Sequence, residues 1–139
     1  MKDDLDGLTN ARAVWDFTTG DERRFFDRVS LMRQTAESFI ARGVAIDFVM
    51  LIHGPATKFV ARTHAGTKFD QDGCALLGDI HALLAALAAL GVRIEVCRIA
   101  MERCLVAREN VIACATVEEN VFLNSIALQN RNYACMQVD

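Results

Sequence analysis

The chain has 139 residues, 53% of them hydrophobic, with 15 Lys and Arg against 18 Asp and Glu and a formal net charge of -3. That length suits one domain burying its own core without metal or disulfide support, and the charge balance gives no electrostatic basis for nucleic-acid or anionic-membrane partners. The apolar fraction is high for a chain of this size, and a subunit interface is the simplest way to cover the excess.

Residues 1–10 (MKDDLDGLTN) read as a flexible acidic N-terminus without the apolar core of a signal peptide, so a cytoplasmic protein is expected, with a single domain over 11–139. The most apolar segment, 82–90, is far shorter than the ~20 residues of a membrane span. Five cysteines (Cys74, Cys97, Cys104, Cys114, Cys135) include no CxxC pair. In a reducing compartment they read as free thiols, and neither a disulfide framework nor a structural zinc site is expected.

In chain order, 11–19 (ARAVWDFTT) reads as a first strand turning at Thr18, Thr19 and Gly20. Asp21 is a helix N-cap with Glu22 in the first turn. Apolar residues at helical spacing from Phe25, interleaved with arginines, predict a long amphipathic helix that stops at Gly43. The run 44–52 (VAIDFVMLI) is apolar enough for a strand covered on both faces of a parallel sheet. It ends in His53-Gly54-Pro55, a tight turn into a short helix over 56–61.

Segment 62–73 (RTHAGTKFDQDG) has no periodicity and reads as a mobile loop near the site. Residues 74–90 form an almost wholly apolar helix closed by Gly91, with one face for the sheet and the other for a neighbouring subunit. A central strand over 92–96 meets Cys97, and a helix follows to about Asn110. Strand 111–117, a helix from 118 to 128 and a last strand 133–138 complete an alternating pattern. It predicts a three-layer α/β/α sandwich around a mainly parallel five-stranded sheet. With neither GxGxxG nor GxxxxGK[ST], no cofactor is expected.

Cys97 is the candidate reactive residue. It falls at a strand-to-helix junction, on the edge of a parallel sheet where ligands collect. Free N–H groups of the helix start and the adjacent Arg98 favour a thiolate there. Parallel strands ending on that edge bring Thr18, Thr19, His53, Gly54 and Thr116 toward Cys97. His53 is the candidate for orienting or deprotonating the sulfur, and Thr19, Gly54, Arg98 and Thr116 are candidate pocket residues. Each has a plainer reading: a buried cysteine is often a small hydrophobe, and a turn histidine often bonds only backbone.

Cys104, seven positions on, would lie about 10 Å from Cys97 along a continuous helix, too far for a disulfide but available as a second thiol. Cys74, starting a helix, is the other position favouring a thiolate. Cys114 and Cys135, read as lying inside strands, are core or interface packing residues. Lys58 and Arg62 are candidate anion contacts.

Three segments in order, DFVMLIHGP (47–55), GVRIEVCRIAMER (91–103) and LQNRNYACMQV (128–138), resemble the DsrE/DsrF-like family of sulfur-relay proteins and small YchN-like homo-oligomers. The resemblance runs from Ala11 to the C-terminus. It implies a five-stranded DsrEFH-like domain assembled as homotrimers or homohexamers, with a cysteine at the position of Cys97 carrying a persulfide between donor and acceptor proteins. Cys104, where many members have a small residue, and the 62–73 segment depart from the common pattern. The expected function is therefore a sulfur carrier of possible sulfurtransferase type. The alternative is a non-catalytic oligomeric module that binds a small ligand or partner in the same pocket.

Overall fold

A computed structural model describes residues 3–139, leaving Met1 and Lys2 of the expected N-terminal segment outside the described residues. Strands β1 (Asn10–Phe17), β2 (Ala45–Ile52), β3 (Arg93–Cys97), β4 (Ala115–Glu118) and β5 (Ala134–Val138) form one sheet in the order β4-β3-β2-β1-β5. Every neighbouring pair is parallel. Helices α1 (Glu22–Ala41) and α2 (Leu77–Ala89) lie on one face, α4 (Val121–Gln129) lies on the other, and the short α3 (Arg98–Cys104) follows β3 directly. This is the expected α/β/α sandwich.

The local reasons are visible in the residues. Asp21 is extended and its carboxylate accepts the Arg24 N–H at 2.8 Å, closing the start of α1. Phe25, Val29, Met32 and Ala36, spaced by three or four, make the single stripe that α1 buries. In β2 the last five residues are buried without alternation, as a central strand covered on both faces requires. Alternate residues of β1 divide between two cores. Ala11, Ala13, Trp15 and Phe17 join the larger one beneath α1 and α2, while Val14 joins Val49, Leu51, Cys97, Val121 and Leu128 beneath α4.

Several elements differ from the sequence reading. The expected strand 111–117 begins only at Ala115. Val111 instead makes an antiparallel bridge with Ala61, and the Ile112 N–H donates to Val60 O, so this apolar stretch packs on the chain after β2 rather than extending the sheet. Cys114 accordingly sits in the turn before β4, not inside it. The helix expected to reach Asn110 ends at Cys104, where Leu105 takes a left-handed conformation (φ 58). The helix expected from Cys74 starts at Leu77. Segment 56–61 is a 3-10 helix spanning Gly54–Val60. Cys135 lies in β5 as expected, but exposed on an edge strand rather than packed in the core.

Candidate functional site

The strand register sets the site. Phe17, Ile52, Val96 and Val117 are aligned across β1, β2, β3 and β4, so the next rank along the carboxyl edge is Thr18, His53, Cys97 and Glu118. His53 and Cys97 thus leave adjacent strands at one level. Gly54 then takes φ +57, a conformation that costs glycine least. At Gly20 the reason for glycine is proximity, because a Cβ there would stand 2.7 Å from Pro55 Cβ. Those two glycines let the start of the 3-10 helix sit against the β1–α1 turn.

Around this edge opens a cleft of about 450 Å3 whose walls include His53, Gly54, Lys58, Lys68, Phe69, Asp72, Cys97, Arg103, Cys104 and Phe122. Three cations against one carboxylate make it attractive to anions. Cys97 is the N-cap residue of α3 and is 6% exposed, lining the cleft while most of its surface packs in the core under α4. Cys104 lines the cleft two turns along α3, with its S–H directed at Gly54 O at 3.9 Å. Burial pushes the Cys104 thiol pKa up, against the opposing pull of Lys68 and of a hydrogen bond with Thr57.

His53 is held by a residue absent from the sequence reading. Its Nε2 donates to Asp16 Oδ1 at 2.5 Å, and its ring meets Phe122 edge-on at 5.3 Å. The signal for Asp16 was present, a lone carboxylate in the apolar strand segment VWDF, but its partner lies 37 residues away. Lys68, Phe69 and Asp72 were also missed. They come from the 62–73 segment, which is pinned rather than loose: Lys68 N–H donates to Cys104 O at 2.9 Å, His64 Nε2 to Lys58 O at 2.9 Å, and Asn110 bonds both Thr63 backbone groups. Lys58, expected as an anion contact, does line the cleft, beside Asp72 at 3.4 Å and over the Phe69 ring.

Other candidate pocket residues lie elsewhere. Arg98 is paired with Glu102 at 2.5 Å and is not among the cleft-lining residues, whereas Arg103 is. Thr19 is buried, and its Oγ1 accepts the Asp21 N–H at 3.3 Å, so it serves the entry to α1. Thr116 pairs with Glu95, two residues short of the edge, because β4 runs on to Glu118. Arg62 is spent on Val111 O, which its Nε reaches at 3.0 Å. Among the described residues no group of three His, Cys, Asp or Glu side chains is placed to hold a metal ion.

Cys74 reverses the expectation of a thiolate-favouring helix start. Burial, then a hydrogen bond and the negative charge of Glu22, push its pKa to about 11 from an ordinary 9.0. At pH 8 its thiolate fraction is about a hundredfold below that of an ordinary thiol. Iodoacetamide labelling read by peptide mass spectrometry should find Cys74 reacting about a hundredfold more slowly in the folded chain than in urea. Equal rates would remove burial and the Glu22 contact together from the account.

An all-parallel five-stranded α/β/α domain with a thiol at the carboxyl end of its third strand is the class of protein that fold and site define. The DsrE/DsrF-like family model matches residues 21–138, and the chain belongs to that family. A similar solved structure is the Protein of Unknown Function MTH1491 from Methanobacterium thermoautotrophicum, at 16% identity and a TM-score of 0.64, covering 91% of this chain and 98% of that one. That likeness is one of fold. No curated protein matches the chain. No helix among the described residues is long and apolar enough to cross a membrane.

Proposed function

We propose that the protein is a sulfur-relay carrier that accepts sulfane sulfur as a persulfide on Cys97 and passes it on, acting in the cytoplasm as a homo-oligomer between donor and acceptor proteins. Membership of the family supports the sulfur-relay class. The single observation that carries the assignment to Cys97 is its place: the rank beside His53, at the start of α3, on the wall of a cation-rich cleft.

The chemistry is redox-neutral. The Cys97 thiolate attacks the outer sulfur of a donor persulfide, the donor S–S bond breaks, and the donor leaves as a thiolate while Cys97 becomes a persulfide. An acceptor thiolate then repeats the attack on that outer sulfur and regenerates the Cys97 thiolate. In this reading His53, whose Nε2 donates to Asp16, takes the thiol proton and returns it. Lys58, Lys68 and Arg103 hold the anionic donor group.

A second reading is favoured by one observation, the packing of Cys97 among Val14, Val49, Leu51 and Val121. In that reading the cleft is a binding site on an oligomeric module and the cysteine is a core residue. Mass spectrometry after incubation with a low-molecular-mass persulfide distinguishes them. The carrier reading expects one added sulfur atom on the Cys97 peptide, and its loss in Cys97→Ser with the folded circular-dichroism spectrum retained. Label confined to Cys135 or Cys104, or no label at all, would sink it and leave the binding module.

A further inference from the structure

The charged groups of the thiol cleft are unequally paired. His53 is bonded to Asp16, and Lys58 stands 3.4 Å from Asp72, the one carboxylate on the wall. Lys68 and Arg103 line the same cleft, and among the described residues neither has an ion-pair partner.

The backbone brings these two cations together. The Lys68 N–H donates to Cys104 O at 2.9 Å, so the 62–73 segment lays Lys68 beside the last turn of α3, which carries Arg103. Burial raises the Cys104 thiol pKa and the Lys68 charge is the largest influence opposing it, so the ammonium group lies toward that end of the cleft. Two uncompensated positive charges on neighbouring stretches repel, and an anion between them relieves the repulsion.

Position also sets a length. Arg103 follows Cys97 by six residues of the same helix, about 9 Å along its axis. A single amino acid spans about 3.5 Å, and a chain of three about 10 Å. Between the two ends the wall is apolar, formed by Ile99 and Ala100, and the cleft volume of about 450 Å3 is that of a small-molecule site.

We propose that the cleft admits a low-molecular-mass sulfur donor, the persulfide of a tripeptide-sized thiol with two carboxylates, which sit on Lys68 and Arg103 while the terminal sulfur meets Cys97. The inference rests on the carrier reading for the sulfur step and adds this small donor to the protein ones, whereas the binding it requires is independent of that reading. The step balances: the Cys97 thiolate bonds the outer sulfur, the donor S–S bond breaks, and the tripeptide leaves as a thiolate with no net oxidation.

S-methylglutathione has the length and both carboxylates and cannot give up sulfur, so isothermal titration calorimetry with it at low salt reads binding alone. The expected result is one site per chain, with affinity about fivefold weaker in Lys68→Gln and in Arg103→Gln, the upper range for one exposed ion pair. Arg98→Gln removes an equal charge from a residue that does not line the cleft and should leave the affinity unchanged. Glutathione persulfide should load Cys97 at least about tenfold faster than cysteamine persulfide, which has no carboxylate, as read by peptide mass spectrometry. No binding of S-methylglutathione, equal weakening in Arg98→Gln, or equal loading by the two persulfides would each overturn the proposal while the carrier reading stands. Binding without loading of Cys97 by either persulfide would overturn the donor role together with the carrier reading, so the two failures are told apart.

Discussion

Phe25→Ala is expected to lower the unfolding free energy by about 4 kcal/mol, the usual range for a fully buried phenylalanine being about 3–5 kcal/mol. Phe25 is 0% exposed, stacked on Phe59 with centroids 4.2 Å apart and edge-on to Phe17 at 5.3 Å. The three rings join α1, β1 and the 3-10 helix after β2, so one truncation opens a hole at the meeting of three elements. Packing this close leaves the surroundings little room to collapse, which puts the cost in the upper part of the range. A domain of this size has about 5–15 kcal/mol in total, so one substitution removes roughly a quarter to most of it. Urea unfolding followed by circular dichroism measures the difference. Leu123→Ala, on the exposed face of α4 at 57% exposure, is the control and should cost no more than about 0.5 kcal/mol. A loss under about 1 kcal/mol for Phe25→Ala would mean the aromatic stack does not hold these elements together.

The stack matters beyond stability because Phe59 follows Lys58, and Lys58 lies over both the Phe59 and Phe69 rings at 5.6 and 5.3 Å. One of the three cations of the cleft is thus positioned by the same aromatic residues that hold the core.

Local signals carried most of the fold. The Asp21 cap, the apolar run into Ile52 and the cysteine at the end of β3 are each fixed by neighbours in sequence, and the structure places all three as read. What was not legible depends on distant partners. Nothing local tells that Val111 and Ile112 will bond to Ala61 and Val60 instead of lengthening β4, so the strand was read too long and Thr116 was set too near the edge. Arg98 looked like the cation beside the thiol because it follows it in sequence, yet its side chain turns back one helical turn to Glu102. The residues that do line the cleft, Lys68, Phe69 and Asp72, arrive by a chain excursion whose path is set by bonds to Cys104 and Lys58. Cys74 does not favour a thiolate because it lies ahead of the helix start, where burial first and then Glu22 of α1 raise its pKa, and neither is visible in its own sequence neighbours.

Glu95→Gln is expected to abolish most of a loss of stability that the natural chain suffers between about pH 4.5 and pH 7. Glu95 is 6% exposed in the middle of β3, on the sheet face it shares with Cys97, and its Oε1 has no partner. Burial, then a hydrogen bond and like-charge repulsion from Glu118, raise its pKa from an ordinary 4.5 to about 7, with Arg93 pulling weakly the other way. The sign follows from the protonated carboxyl being the form the fold prefers. Its contribution is complete below the unfolded value of 4.5 and is lost as pH rises toward 7. A rise of that size corresponds to at most about 3 kcal/mol. Glutamine keeps the shape and cannot ionise, so the variant should match the natural chain near pH 4.5 and exceed it by up to about 3 kcal/mol at pH 8. Urea midpoints across that interval decide the matter: parallel curves for the two chains would show that Glu95 ionises without cost and that Glu118 is no constraint on it. A diverging pair would place a reluctant acid directly behind the strand end that presents Cys97, and opposite Cys97 in the register stands Glu118 itself.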